Sequence, residues 1–152
     1  MGRAFRISLA LIYSVATVMP GVAAAPAVIR LPGLEYQVLG SGPAGGAHPS
    51  RADAVTIRYI GRLADGSVFS TSADDGAVTS TFGVRAVIPG FSALVQLMRP
   101  GDRWRLTIPG YLGYGRIGKR LGPTEANLKR DIPPDGVLVF DVELVSVAPA
   151  AS

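Results

Sequence analysis

The stretch "VIPGFSALVQLMRPGDRWRLTIPGYLGYG", residues 87–115, changes its period halfway along. In the first half Phe91, Leu94, Val95 and Met98 recur at i, i+3, i+4 and i+7, which puts one apolar stripe on a helix. Pro89-Gly90 in front and Pro100-Gly101 behind hold that helix to about two turns. A helix so short cannot stand alone, so it must lie against another element. The second half supplies one. Trp104, Leu106 and Ile108 alternate with Arg103, Arg105 and Thr107, the period of a strand with one buried face, and Trp104 reads as core. The Pro100-Gly101-Asp102 turn joins the two halves.

The same alternation recurs on either side. In "VTIRYIGRLADGSVF", residues 55–69, Val55, Ile57 and Tyr59 share a face, with Thr56 and Arg58 on the other. Gly61 is expected to end that strand, and "LADG" to turn the chain before Ser67, Val68 and Phe69. In "IPPDGVLVFDVELV", residues 132–145, Leu138, Phe140, Val142 and Leu144 align. "LPGLEYQVL", residues 31–39, suggests a first strand after a Pro-Gly turn, and residues 40–53 read as a flexible connection. Several strands and one short helix make an α+β domain, an antiparallel sheet with the helix on its concave face.

The 152 residues suffice for one domain with a genuine core, and 19 glycines with 12 prolines favour sheet over bundle. With no cysteine there is no disulfide, thiol nucleophile or thiolate metal site, and His48, the one histidine, reads as a solvated loop residue. No metal site and no cofactor is expected. Residues 1–25 have the parts of a cleavable secretory signal: Arg3 and Arg6, the apolar run "ISLALIYSVATVM", then small residues. The run is short for a membrane span, which needs ~20 residues. Cleavage is expected near Ala24 or Ala25, an uncleaved anchor being the alternative. The protein is then periplasmic or secreted, bacterial, and without stable membrane association. Residues 26–33 form a short lead, 34–148 the domain and 149–152 a tail.

Without Arg3 and Arg6 the formal charge falls from +4 to about +2, no argument for nucleic acid. The cluster of Arg116, Lys119, Arg120, Lys129 and Arg130 is broken by Glu125 and Asp131 and reads as a solvated loop. "GYGRIGKR", residues 113–120, fits G-x-G-x-x-G and nearly fits a P-loop, but Arg120 stands where Ser or Thr should meet magnesium. Both motifs also need a buried strand before and a helix after, whereas Pro109-Gly110 precedes and Gly122-Pro123 follows.

Taken in order, the three stretches at 55–69, 87–115 and 132–145 resemble the FKBP-type peptidyl-prolyl cis-trans isomerases, especially the exported bacterial branch related to macrophage infectivity potentiators. The resemblance spans residues 31–147 and implies a curved antiparallel β-sheet wrapped around one short α-helix. It also implies an activity that needs no nucleophile or metal, since rotation about an X-Pro amide makes and breaks no bond. Proline-containing polypeptides, with X apolar, are the implied substrates, and macrolide inhibitors the candidate ligands.

Carried onto this chain, the resemblance assigns Tyr114, Phe69, Tyr59 and the Ile88 N–H to catalysis. It assigns Phe91, Val87, Val78, Ser70, Ile132 and Phe140 to substrate binding, with Phe91 at the floor and Ile132 on the wall of a covering loop. Val87 and Phe140 are equally readable as core; Tyr114, in a glycine-rich loop, has no obvious core role. The chain departs from the family at four places. Ser70 replaces the usual aspartate, Val78 a phenylalanine and Phe91 a tryptophan, and the loop 115–132 is about nine residues longer. The short lead leaves no room for the helical dimerisation domain of exported relatives, so a monomer is expected. A catalytically weak binding or chaperone domain for proline-containing segments is the alternative to an efficient isomerase.

Overall fold

The computed structural model describes residues 25–73, 78–123 and 130–149. Nearly all of the expected signal, Lys129 and Glu125 of the basic cluster, and most of the C-terminal tail lie outside them. Seven strands form one antiparallel sheet: β1 (Val28–Leu31), β2 (Leu34–Gly40), β3 (Ala54–Leu63), β4 (Val68–Thr71), β5 (Ser80–Gly83), β6 (Arg103–Ile108) and β7 (Leu138–Ala148). Their order is β1-β2-β6-β7-β3-β4, with β5 also paired to β3. The single α-helix among the described residues, α1, spans Pro89–Val95. This is the expected α+β architecture of an antiparallel sheet and one short helix.

The alternating strands turn their apolar side inward: Val55, Ile57, Leu106, Ile108, Leu138 and Leu144 are fully buried. The stripe on α1 and the turn after it packs onto that face, with Leu94, Val95 and, past the helix end, Met98 at 0% exposure. Gly90 makes the approach possible. A Cβ there would stand 2.5 Å from Ile108 Cγ2, so any larger residue would push the helix off β6. Trp104 is buried and stacks on Tyr36 with ring centroids 4.4 Å apart, which ties β6 to β2.

Three expectations need correction. The lead over 26–33 contains a strand, because Val28–Leu31 pairs antiparallel with residues 34–37 across the Pro32-Gly33 turn to complete a hairpin. Gly61 does not end β3, which runs on to Leu63. The connection over 40–53 is anchored rather than loose. The buried Asp102 carboxylate accepts from Gly42 N–H at 2.7 Å and Arg99 N–H at 2.8 Å. His48 is exposed but not free. Arg99 Nε donates to its Nε2 at 3.0 Å, so the remaining ring proton sits on Nδ1 and is donated to the Met98 carbonyl, also at 3.0 Å.

Candidate functional site

A cavity of about 300 Å³ opens where α1, the β3–β5 edge of the sheet and the loop after β6 converge. Its base is aromatic. Phe140, on β7, meets Phe91 edge-on at 5.2 Å and 78°, and Phe69 at 5.5 Å and 84°. Tyr59 lies 6.2 Å from the same ring. Edge-to-face pairs contribute about 0.5–1.5 kcal/mol each beyond the area they bury, so Phe140 holds three rings in a fixed arrangement.

The backbone leaves room for them at one residue. Gly61 lies directly opposite Phe140 in the ladder, and a Cβ on it would stand 2.7 Å from Phe69 Cζ and 3.0 Å from Phe140 Cε1. The pairing of β3 with β4 also slips there: Gly61 faces Ser70, but Arg62 faces Val68, which leaves Phe69 as the extra residue of a bulge. In a regular strand Phe69 and Ser70 would point to opposite faces. The bulge re-aims one of them, and both line the cavity. It also removes the Phe69 carbonyl from the ladder, and Arg130 Nε donates to that oxygen at 2.8 Å.

The polar groups at the cavity fall into two kinds. Tyr59 is engaged: its hydroxyl and Ser70 Oγ share a hydrogen bond of 2.9 Å. Tyr114 and Ile88 are not. The Tyr114 hydroxyl makes no hydrogen bond among the described residues, and burial, with the nearby Tyr59 adding a smaller effect, raises its pKa above the ordinary phenol value. It therefore remains a donor at neutral pH. Ile88 caps the N-terminus of α1, where a backbone N–H has no intrahelical acceptor, and it finds none elsewhere among the described residues. Two residues whose donors have no partner among the described residues thus line the cavity.

Of the ten residues expected at the site, Tyr59, Phe69, Ser70, Val87, Ile88, Phe91, Tyr114 and Phe140 line this cavity. Two do not. Val78 is 73% exposed and lies beside Ile60 and Arg58 on the outer face. The β3–β5 pairing puts Ser80 opposite Ile57 and stops, two residues short of setting Val78 against Tyr59. Phe82 takes the aromatic place instead, its ring 6.1 Å from Tyr59. Ile132 is 3% exposed and belongs to the core. Its backbone exchanges two hydrogen bonds with Lys119, at 2.8 and 3.0 Å, and the loop wall is formed by Leu121 and Lys119.

Sequence reading missed Ile57, Phe82, Ala86, Lys119 and Leu121 as lining residues. The parity of β5 could have shown Phe82, since it shares a face with Val55. Nothing local marks Lys119. Gly118 carries it inward: its φ is +69°, and a Cβ there would strike the Ile132 carbonyl at 2.2 Å. The glycines of "GYGRIGKR" therefore serve a 3₁₀ turn, Gly115–Ile117, and the bridge to Ile132, with no α-helix behind them among the described residues to receive a phosphate.

The family model described as FKBP-type peptidyl-prolyl cis-trans isomerase matches residues 45–145. The chain is 37% identical over 129 residues to a protein named outer membrane protein MIP from Legionella longbeachae, covering 83% of this chain and 49% of that one. It is 43% identical over 126 residues to the macrophage infectivity potentiator of Trypanosoma cruzi, covering 82% and 59%. The chain thus spans about half the length of the relatives it matches. A crystal structure of a peptidyl-prolyl cis-trans isomerase from Pseudomonas syringae pv. tomato superposes with a TM-score of 0.65 at 32% identity, covering 82% of this chain and 84% of that one.

Proposed function

The chain belongs to the FKBP-type peptidyl-prolyl cis-trans isomerase family, and from that premise we propose that it accelerates rotation about X-Pro bonds in the cavity above Phe91. The observation that carries the reading is the pairing of an aromatic cavity with two unengaged donors, Tyr114 O–H and Ile88 N–H. The barrier to be lowered is about 18–20 kcal/mol, set by amide resonance. A twisted amide has lost its charge separation, so an apolar, water-poor enclosure favours it over the planar form. Each ~1.4 kcal/mol gained in this way is worth about tenfold in rate.

The proline ring packs on Phe91, between Phe69, Tyr59 and Phe140. Tyr114 and Ile88 hold carbonyls that flank the rotating bond. A donor on the rotating carbonyl itself would favour the charge-separated planar state and slow the reaction, so these groups act by anchoring the chain on either side. Tyr59 shapes the wall, its hydroxyl already held by Ser70.

Ser70 favours a second reading within the same site. Where the family resemblance leads one to expect a carboxylate, this chain has a neutral hydroxyl, which suits a domain that holds proline-containing segments with little turnover. Isomerisation of proline peptides by the purified protein, followed by NMR exchange without a coupled protease, separates the two. Turnover well above background that falls about tenfold in Tyr114→Phe is expected. Peptide binding with no rate above background would leave the holdase reading, and turnover unaltered in Tyr114→Phe would remove Tyr114 from the site.

We assign the protein to the exported folding machinery, on the charge and apolar pattern of residues 1–25. No helix among the described residues is long and apolar enough to cross a membrane. A monomer acting on proline-containing polypeptides is the simplest form of this function, and a macrolide filling the aromatic cavity would compete with them.

A further inference from the structure

The cavity is apolar within but has one ionised side chain on its rim. Among its lining residues Lys119 is the only one charged at neutral pH, and none is a carboxylate. Lys119 is exposed, yet it is not a wandering surface lysine. Its backbone is fixed in both directions by Ile132, and its Nζ stands 5.3 Å from the centroid of the Tyr114 ring, in cation–π contact. No described carboxylate forms an ion pair with it. The guanidinium of Arg130 adds positive charge nearby, its Nε bound to the carbonyl of Phe69, the residue before Ser70. With serine at 70, none of the described residues lining the cavity is a carboxylate; the Asp131 carboxylate, outside that lining, accepts from the Leu121 N–H at 3.1 Å.

We propose that this rim selects proline segments with an acidic residue next to the proline, Lys119 being the specificity-determining residue. The inference rests on the isomerase reading and refines it, because the resemblance alone implies an apolar neighbour. The proline ring still needs the aromatic base. The adjacent side chain, however, must cross the rim beside Tyr114, where the ammonium waits unpaired and held in place. A partly exposed ion pair is a modest interaction. Its expected effect is therefore about two- to fivefold in kcat/KM, with like charge acting in the opposite sense.

The test compares N-acetylated, C-amidated peptides of the forms Ala-X-Pro-Phe and Ala-Ala-Pro-X, with X as Glu, Gln or Lys. Exchange NMR at about 20 mM ionic strength keeps screening weak, and a repeat in 1 M NaCl shortens the screening length to about 3 Å. In at least one series Glu should exceed Gln by about two- to fivefold, with Lys below Gln. The Glu/Gln ratio should collapse towards one in high salt and in Lys119→Gln, and persist in Lys119→Arg. Equal rates for Glu and Gln in both series overturn the inference while leaving the isomerase reading intact. So does a preference that survives Lys119→Gln. No turnover of any peptide removes the isomerase reading, and this inference with it.

Discussion

Gly61→Ala tests whether the three-ring base of the cavity is set by the backbone beneath it. The added methyl would meet Phe69 Cζ at 2.7 Å and Phe140 Cε1 at 3.0 Å, where ordinary contact begins at 3.4 Å. The open side available to either ring is the cavity they line. Phe140 is wedged between Phe69 and Phe91, and the Phe69 backbone is pinned by the bulge and by Arg130. Overpacking of this kind costs about 1–3 kcal/mol. Replacing glycine inside a strand recovers roughly 0.5–1 kcal/mol of chain entropy. The net loss is up to about 2.5 kcal/mol, a fall in Tm of up to about 10 °C for a domain of this size. Because both displaced rings line the cavity, kcat/KM should fall more than stability alone explains, by about tenfold under conditions where the variant remains folded. Gly45→Ala is the control: nothing lies within 4 Å of its Cβ and its φ is not positive, so stability should be unchanged or slightly raised. Urea denaturation together with peptide isomerisation reads both effects. A Gly61→Ala protein as stable and as active as the parent would refute the argument that this glycine positions the rings.

Three further substitutions probe other parts of the structure. Arg105, donating at 2.6 Å and 3.0 Å, with Arg62 adding a smaller effect, holds the Asp141 carboxyl below the usual carboxylate range. The stability this gives is fully present above the unfolded value of about 3.9 and lost as pH falls through the lower folded value. Asp141→Asn should therefore cost about 1 kcal/mol at pH 7 after allowance for solvent screening, and the two unfolding curves should converge in acid. A gap that stays constant down to pH 2 would contradict this. At the cavity wall, Phe82→Ala should lower kcat/KM severalfold, whereas Val78→Ala should leave it within about twofold. The opposite ranking would restore Val78 to the site.

What the sequence made legible was what repeats locally. The stripe of Phe91, Leu94, Val95 and Met98 and the alternation of Trp104, Leu106 and Ile108 each declare a buried face, and both faces are buried as read. The misreadings share a different cause. Gly61 reads locally as a strand end because glycine is a poor strand residue, but its role depends on rings from β4 and β7 that no local pattern reveals. Val78 and Phe82 differ in position only through the register of β5 on β3, and a register shift moves side chains without altering composition. Ile132 and Lys119 exchanged expected roles because a bridge between distant residues decides which of them faces the cavity.

These misreadings fall where the function is concentrated. An isomerase of this kind needs no side chain with unusual reactivity, so its capability lies in the arrangement of ordinary groups. Here that arrangement comes from two departures from regular structure. The bulge in β4 brings Phe69 and Ser70 to the same cavity, and the turn at Gly118 brings Lys119 over Tyr114. Each is imposed by a long-range pairing, with β3 in one case and with Ile132 in the other. Ser70 consequently does more than mark a missing acid. By engaging the Tyr59 hydroxyl as a neutral partner, it leaves Lys119 as the one ionised side chain among the described residues lining the cavity. Restoring a carboxylate with Ser70→Asp should then act in two opposed ways, raising turnover of peptides with apolar neighbours while abolishing the preference for acidic ones. A rise in both would mean that the charge at position 70 acts on the amide alone, independently of Lys119.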